Sequence, residues 1–268
     1  MGAMSQYWPF SGFVRYGALR ERLIVSLDLM SRREALSLVE RVGRMVGMFK
    51  IGKPLFLAGG AEMIREIRSS GGEVFLDLKF RDRPQFMLRS ALEATRLGVK
   101  MFDVHADGCL DAMTRMKAEI TRLCKNEGLR RPHIVAVTTL CGIGAANGDA
   151  PVRHGIEAVA KLARRAVEAG MDGVLTSATA VAGIRSACGR RPIVVAPAVA
   201  SRDAAQGAPT QAGADVIRAG ADYVVIGSPI FRACEPTHAI QSIIEEIERG
   251  LRSPGHNPRD GLLTRLPF

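Results

Sequence analysis

The chain has 268 residues, 47% of them hydrophobic and 5% aromatic, with a formal net charge of +10 at pH 7. That size and apolar content suit one large α/β domain or two small ones with a sizeable core, and no stretch is long enough to span a membrane as a helix. The basic balance fits a nucleic acid, an anionic membrane or a phosphorylated substrate. The cations are scattered in pairs such as Arg32-Arg33, Arg130-Arg131, Arg164-Arg165 and Arg190-Arg191, with no basic stripe interleaved with aromatics. Neither nucleic-acid binding nor membrane attachment is therefore expected. The five cysteines, Cys109, Cys124, Cys141, Cys188 and Cys234, form no CxxC pair. They read as reduced thiols in the cytoplasm. The five histidines show no metal-binding spacing, so no metal site is expected; His105 reads as a structural histidine. Residues 1–20 lack the apolar core of a signal peptide and read as an N-terminal extension.

In chain order, Leu23 to Asp28 is a short apolar run ending in a carboxylate, a first strand. Ser31 and Glu34 form a capping box for a helix whose apolar face is Ala35, Leu38, Val39 and Val42. Val46 to Ile51 is a second strand with Lys50 near its end. A helix over Ala61 to Ser70 stops at Gly71-Gly72. The third strand, Val74-Phe75-Leu76-Asp77-Leu78-Lys79, places Asp77 and Lys79 on one face just where its apolar run ends. Asp82 and Pro84 read as the loop beyond it. Helices follow over Arg89 to Leu97, stopped by Gly98, and over Leu110 to Lys125, with a fourth strand, Met101 to Val104, between them. A fifth strand, Ile134 to Thr138, leads into a glycine-rich loop from Cys141 to Gly148. Ile156 to Ala169 is a helix ended by Gly170, Gly173 to Thr176 a sixth strand, and Ala180 to Ala187 a short helix. Ile193 to Ala196 is a seventh strand, ending at Pro197. A short helix closes over Asp215 to Ala219, and Tyr223 to Gly227 is the eighth strand. Pro236 to Arg249 is a last helix, stopped by Gly250, before a polar tail over residues 251–268.

Eight strands alternating with helices at a spacing of roughly 25–30 residues fit a single (β/α)₈ TIM barrel over residues 21–250. An open doubly wound sheet shows the same alternation, but the count of eight and the lack of an early GxGxxG favour closure. In a barrel the C-terminal ends of the strands meet at one mouth, so Asp28, Lys50, Asp77 and Lys79 converge on one pocket. On local sequence alone, Asp77 and Lys79 would equally fit an exposed salt bridge at a strand end.

From about Leu23 to Ile247 the chain resembles the orotidine 5'-phosphate decarboxylase family. The motifs are Leu27-Asp28, Phe49-Lys50-Ile51-Gly52, Phe75-Leu76-Asp77-Leu78-Lys79-Phe80 with Asp82, Val104-His105-Ala106, Val135-Ala136-Val137-Thr138, Asp172-Gly173-Val174 and Ala219 to Gly227. The Asp-x-Lys-x-x-Asp unit is shared across a superfamily. In sister metal-dependent aldolases and sugar-phosphate decarboxylases, a glutamate that helps hold magnesium stands where this chain has Lys50; a lysine there repels a dication. The resemblance implies decarboxylation of orotidine 5'-phosphate to UMP, in pyrimidine biosynthesis, with no cofactor. It implies that Lys50, Asp77, Lys79 and Asp82 are catalytic, with Lys79 the proton donor. It also implies a homodimer in which Asp82 reaches the partner's site, and a ribose contact from Asp28.

The substrate-gripping positions depart from the family pattern. Lys-Phe-His-Asp-Ile-Pro-Asn-Thr becomes Lys79-Phe80-Arg81-Asp82-Arg83-Pro84-Gln85-Phe86, and Leu-Thr-Ser becomes Leu140-Cys141-Gly142. Pro-Gly-Ile-Arg becomes Pro197-Ala198-Val199-Ala200, and Gly-Arg becomes Gly227-Ser228. Asp28, Cys141, Gly142, Pro197, Arg202, Gln206, Gly227 and Ser228 are the expected substrate contacts. Gln206 stands in for the family's loop glutamine, and Arg202 and Arg232 are candidates to replace the arginine that grips the phosphate. Two further readings stay open here: a paralogue with a changed substrate, and a nucleotide-binding or regulatory protein without catalysis.

Overall fold

Alternation within each strand decides the architecture, because residues two apart point to the same face. A computed structural model describes residues 19–138, 155–198 and 209–252. The strands are β1 (Leu23–Ser26), β2 (Met48–Gly52), β3 (Val74–Phe80), β4 (Met101–His105), β5 (His133–Val137), β6 (Gly173–Leu175), β7 (Ile193–Pro197) and β8 (Tyr223–Ile226). They pair in parallel in sequence order and close, β1 against β8, into an eight-stranded barrel. The expected TIM barrel is thus the observed fold.

One set of alternate residues fills the barrel. Ile24, Met48, Phe75, Met101, Val135 and Tyr223 form its buried plug. The other set, including Val25, Phe49, Leu76 and Phe102, faces outward into a second core shared with the helices. A parallel sheet buried on both faces is held almost wholly by apolar area, and this accounts for the near-continuous apolar runs in the sequence. Two residues beyond Met48, Phe75 and Met101, on the same inward face, stand Lys50, Asp77 and Asp103. The apolar plug ends there and a charged layer begins.

The helices are α1 (Arg32–Val42), α2 (Lys53–Ser69), α3 (Pro84–Arg96), α4 (Leu110–Glu127), α5 (Ile156–Glu168), α6 (Val181–Cys188), α7 (Pro209–Arg218), α8 (Ser228–Phe231) and α9 (Pro236–Arg252). The Ser31–Glu34 capping box forms as expected, with the Glu34 N–H donating to Ser31 Oγ at 3.3 Å and the Ser31 N–H to Glu34 Oε2 at 2.8 Å. Three expectations are corrected. Helix α2 starts at Lys53, not Ala61, as two helical pieces joined at Gly60, whose φ of 57° interrupts the first run. Helix α3 starts at Pro84, which occupies the first turn where proline's missing N–H costs nothing, so Pro84 is not part of the loop. Helix α9 runs through Gly250 to Arg252. A Cβ on Gly250 would come within 2.6 Å of the Ala214 Cβ, so this glycine permits close approach of α7 and α9 and does not end the helix.

Two aspartates at the N-terminal end of the barrel act as staples between neighbouring strands. Asp172, before β6, accepts from both Arg131 Nη atoms at 2.9 and 2.8 Å and from the β5 amide of Ile134 at 2.9 Å. Asp222, before β8, accepts from Arg185 at 2.5 Å and from the β7 amide of Val194 at 2.8 Å. Burial alone would raise the Asp172 pKa, but the hydrogen bonds from Arg131 and Ile134 outweigh it and hold the carboxyl below its ordinary value. A depressed folded-state pKa contributes stability above the unfolded value, and that stability is lost as pH falls through the folded one. Asp172→Asn should therefore cost about 2–3 kcal/mol near neutral pH. In urea melts, its gap from wild type should close as the pH falls below the ordinary carboxylate range and through the depressed folded-state value.

Candidate active site

The strand ends place four charges in a single alternating row. Asp28, just past β1, accepts the Gly52 N–H on Oδ1 at 2.5 Å and the Ser26 hydroxyl on Oδ2 at 3.1 Å. Its Oδ2 also pairs with Lys50 Nζ. Lys50 in turn donates to Asp77 Oδ2 at 2.9 Å, and Lys79 Nζ pairs with Asp77 Oδ1. The order is Asp28, Lys50, Asp77, Lys79, with both lysines on one carboxylate.

The middle of the row is enclosed and its ends are open. The Lys50 and Asp77 side chains are 11% and 6% exposed, against 26% for Asp28 and 30% for Lys79. Burial works against both inner charges. It would lower the Lys50 pKa, yet Asp77 and Asp28 more than offset it and hold the ammonium above its ordinary value. It would raise the Asp77 pKa, yet Lys50, a hydrogen bond with Asp103 and then Lys79 hold that carboxyl well below the usual carboxylate range. Both inner groups stay ionised in a poorly solvated place. This is more than the exposed salt bridge that local sequence also allowed.

The backbone at Lys79 is unusual. Its φ is 52°, the only positive value at a non-glycine residue among those described. Pairing of β3 with β4 slips here: β3 runs from Leu76 to Phe80 while β4 advances only from Phe102 to Val104. The bulge leaves the Lys79 N–H without a strand partner, and Asp103 Oδ1 accepts it at 2.7 Å. Asp103 is fully buried. Burial, and then the neighbouring Asp77, push its carboxyl well above the usual carboxylate range. The sequence reading passed over this residue. The signal was present in Met101-Phe102-Asp103-Val104-His105, where alternation turns Asp103 inward with Met101 and His105.

The remaining expected residues are spread around the rim. His105 ends β4 with Nδ1 3.6 Å from Asp107, whose other oxygen pairs with Arg81 at 2.9 Å. Burial lowers the His105 pKa, which favours the neutral ring. Asp82 lies exposed beyond β3, accepts the Arg83 N–H at 2.9 Å and does not join the row within this chain. Pro197 ends β7 beside Val225 of β8. Gly227 follows β8 as the N-cap of α8, and Ser228, exposed, opens that four-residue helix. Arg232 is exposed just past α8, its guanidinium 5.9 Å from the Phe231 ring centroid. Cys141, Gly142, Arg202 and Gln206 lie outside the described residues.

Residues 21–243 match the family described as "Orotidine 5'-phosphate decarboxylase / HUMPS family". The chain belongs to this family. It is 40% identical over 238 residues to the orotidine 5'-phosphate decarboxylase of Pelobacter propionicus, covering 86% of this chain and 97% of that one. The Geobacter sulfurreducens enzyme of the same name is 39% identical, with 86% and 98% covered. Among solved structures, orotidine 5'-phosphate decarboxylase from Lactobacillus acidophilus superposes with a TM-score of 0.70 at 27% identity, over 84% of this chain and 98% of that one. The match spans every strand of the barrel and all four members of the charged row. Within that match the Lys50 ammonium stands between the carboxylates of Asp28 and Asp77.

Proposed function

We propose that this protein converts orotidine 5'-phosphate to UMP and CO₂ without metal or coenzyme, using the Asp28–Lys50–Asp77–Lys79 row. The observation that carries this reading is the single Asp77 carboxylate held between two lysines at the closed end of the barrel mouth. Loss of CO₂ breaks the bond to C6 and leaves the electron pair in an in-plane sp² orbital that the ring cannot delocalise. Fixed charge must stabilise it, and a preorganised ammonium in a dry site is worth far more than one in water. Lys79, at the more open end of the row, faces the substrate and delivers a proton from Nζ to C6. It is reprotonated from solvent afterwards.

Asp77 lies beside the substrate carboxylate. Its enforced ionisation keeps two like charges together, a repulsion that ends as CO₂ departs. Lys50 keeps Asp77 ionised and aimed. Asp28, on the opposite side of Lys50, bonds the ribose. Pro197 and Gly227 stand at the C-terminal ends of β7 and β8, on the side of the barrel where this reading seats the pyrimidine and phosphate; the resemblance adds Cys141, Gly142 and Gln206 as substrate contacts. Ser228 offers the phosphate one neutral hydrogen bond where the family pattern has an arginine, and Arg202 and Arg232 are the cations available to compensate.

Asp82 completes the row in a second subunit of a homodimer. Its exposure supports this, as do the exposed apolar side chains of Phe86 (49%) and Leu57 (85%). The reading places the enzyme in the cytoplasm, in line with its described cysteines being free thiols. Among the described residues no helix is long and apolar enough to cross a membrane.

The test is incubation of the purified protein with orotidine 5'-phosphate, followed by the change in pyrimidine absorbance and by trapped CO₂. Stoichiometric UMP and CO₂ are expected. Binding of a uridine nucleotide with no CO₂ released would replace this reading with the non-catalytic one.

A further inference from the structure

Asp103 is a buried carboxylic acid that the mechanism above does not use. Its Oδ1 accepts the Lys79 N–H at 2.7 Å. Its Oδ2 is fully enclosed and meets no N–H or O–H donor among the described residues. Yet Phe75 pairs with Met101 and Leu76 with Phe102, so Asp103 and Asp77 occupy neighbouring inward positions on β4 and β3. Two carboxylates share a hydrogen bond only if one of them carries a proton. Asp77 already accepts from two ammonium groups, whereas Asp103 accepts from a single amide. The proton therefore belongs on Asp103.

We propose that Asp103 is a positioning residue held as a neutral acid, its O–H donating to Asp77 while its carbonyl oxygen pins the Lys79 amide in the β3 bulge. It fixes from one point both the carboxylate that faces the substrate and the backbone that aims the proton donor. The left-handed backbone at Lys79 is a strained conformation that persists only where its surroundings enforce it, and the Asp103 bond is the enforcing contact. For its kinetic part this inference rests on the decarboxylase reading.

The test compares wild type, Asp103→Asn and Asp103→Leu. Asparagine keeps both roles, a carbonyl for the Lys79 amide and an N–H for Asp77; leucine keeps neither. Leucine should lower kcat by about 100-fold with little change in KM, the scale expected when a reacting group is misplaced by about 1 Å. Asparagine should recover most of that loss, to within about fivefold of wild type, because both hydrogen bonds survive. Infrared difference spectra of wild type against Asp103→Asn at neutral pH should show the carbonyl stretch of one protonated carboxylic acid, shifted in D₂O. The spectroscopic arm needs neither turnover nor a folded leucine variant. An inactive wild type that shows the band would refute the decarboxylase reading and leave the protonated Asp103 standing. Absence of the band, or a loss in the asparagine variant as large as in the leucine one, would overturn the proposal.

Discussion

Lys79→Ala should lower the rate of CO₂ release by about 10⁴-fold or more while leaving the fold in place. The expectation combines two losses. In the proposed mechanism the variant has no general acid to protonate C6, a role worth about 10²–10⁴-fold on its own. In the same mechanism it lacks the cation nearest the carbanion, and removing one such preorganised group typically costs about 10²–10³-fold. The structural cost is small by comparison, because the Lys79 side chain is 30% exposed and Asp77 keeps Lys50 as a partner. Thermal melts should therefore move little while turnover collapses. Lys79→Arg separates the two contributions, since it restores a cation but cannot surrender a proton at neutral pH. It should remain severely impaired. An arginine variant with near-normal turnover would show that charge alone suffices and that the proton comes from elsewhere.

Lys50→Ala should fail in a different way, losing activity and stability together. Among the described residues Lys50 is the only cation touching both Asp28 and Asp77, and its side chain is 11% exposed. Removing one partner of a buried ion pair strands the other, at a cost of about 3–5 kcal/mol. Part of that cost is Asp77 itself, whose carboxyl is held ionised against burial chiefly by Lys50. Asp77 contributes its stability above the ordinary carboxylate pKa and loses it as pH falls through the depressed folded value, so the penalty of the variant should shrink in acid. A double variant, Lys50→Met with Asp77→Asn, should regain much of the stability and none of the activity. Such non-additivity is the signature of two groups in direct contact. Denaturant melts at two pH values, read beside turnover, check each of these statements.

How much of this was legible in the sequence follows from range. Strand alternation and capping are local, so the barrel, the Ser31–Glu34 box and the convergence of Asp28, Lys50, Asp77 and Lys79 could be read from spacing. The β3 bulge is not local. It arises from how β3 and β4 pair, and no residue in Leu78-Lys79-Phe80 announces a positive φ at a lysine. Asp103 was readable as an inward position but not as a partner, because its importance rests on that bulge. Glycine misled once: Gly250 resembles a helix stop, and only the packing of α7 against α9 shows why it sits inside the helix. Pro84 misled in the same way, since a proline after a strand marks a turn and a helix start equally well.

The proposed decarboxylation depends on a row of protein charges that carries a carbanion with no help from metal or coenzyme. The most direct measurement is CO₂ release from orotidine 5'-phosphate by protein dialysed against a strong chelator, run beside Lys79→Ala under the same conditions. Full turnover by the chelated wild type and none above background by the variant is the predicted result. Turnover that disappears with chelation and returns with added magnesium, or that survives the loss of Lys79, would contradict it.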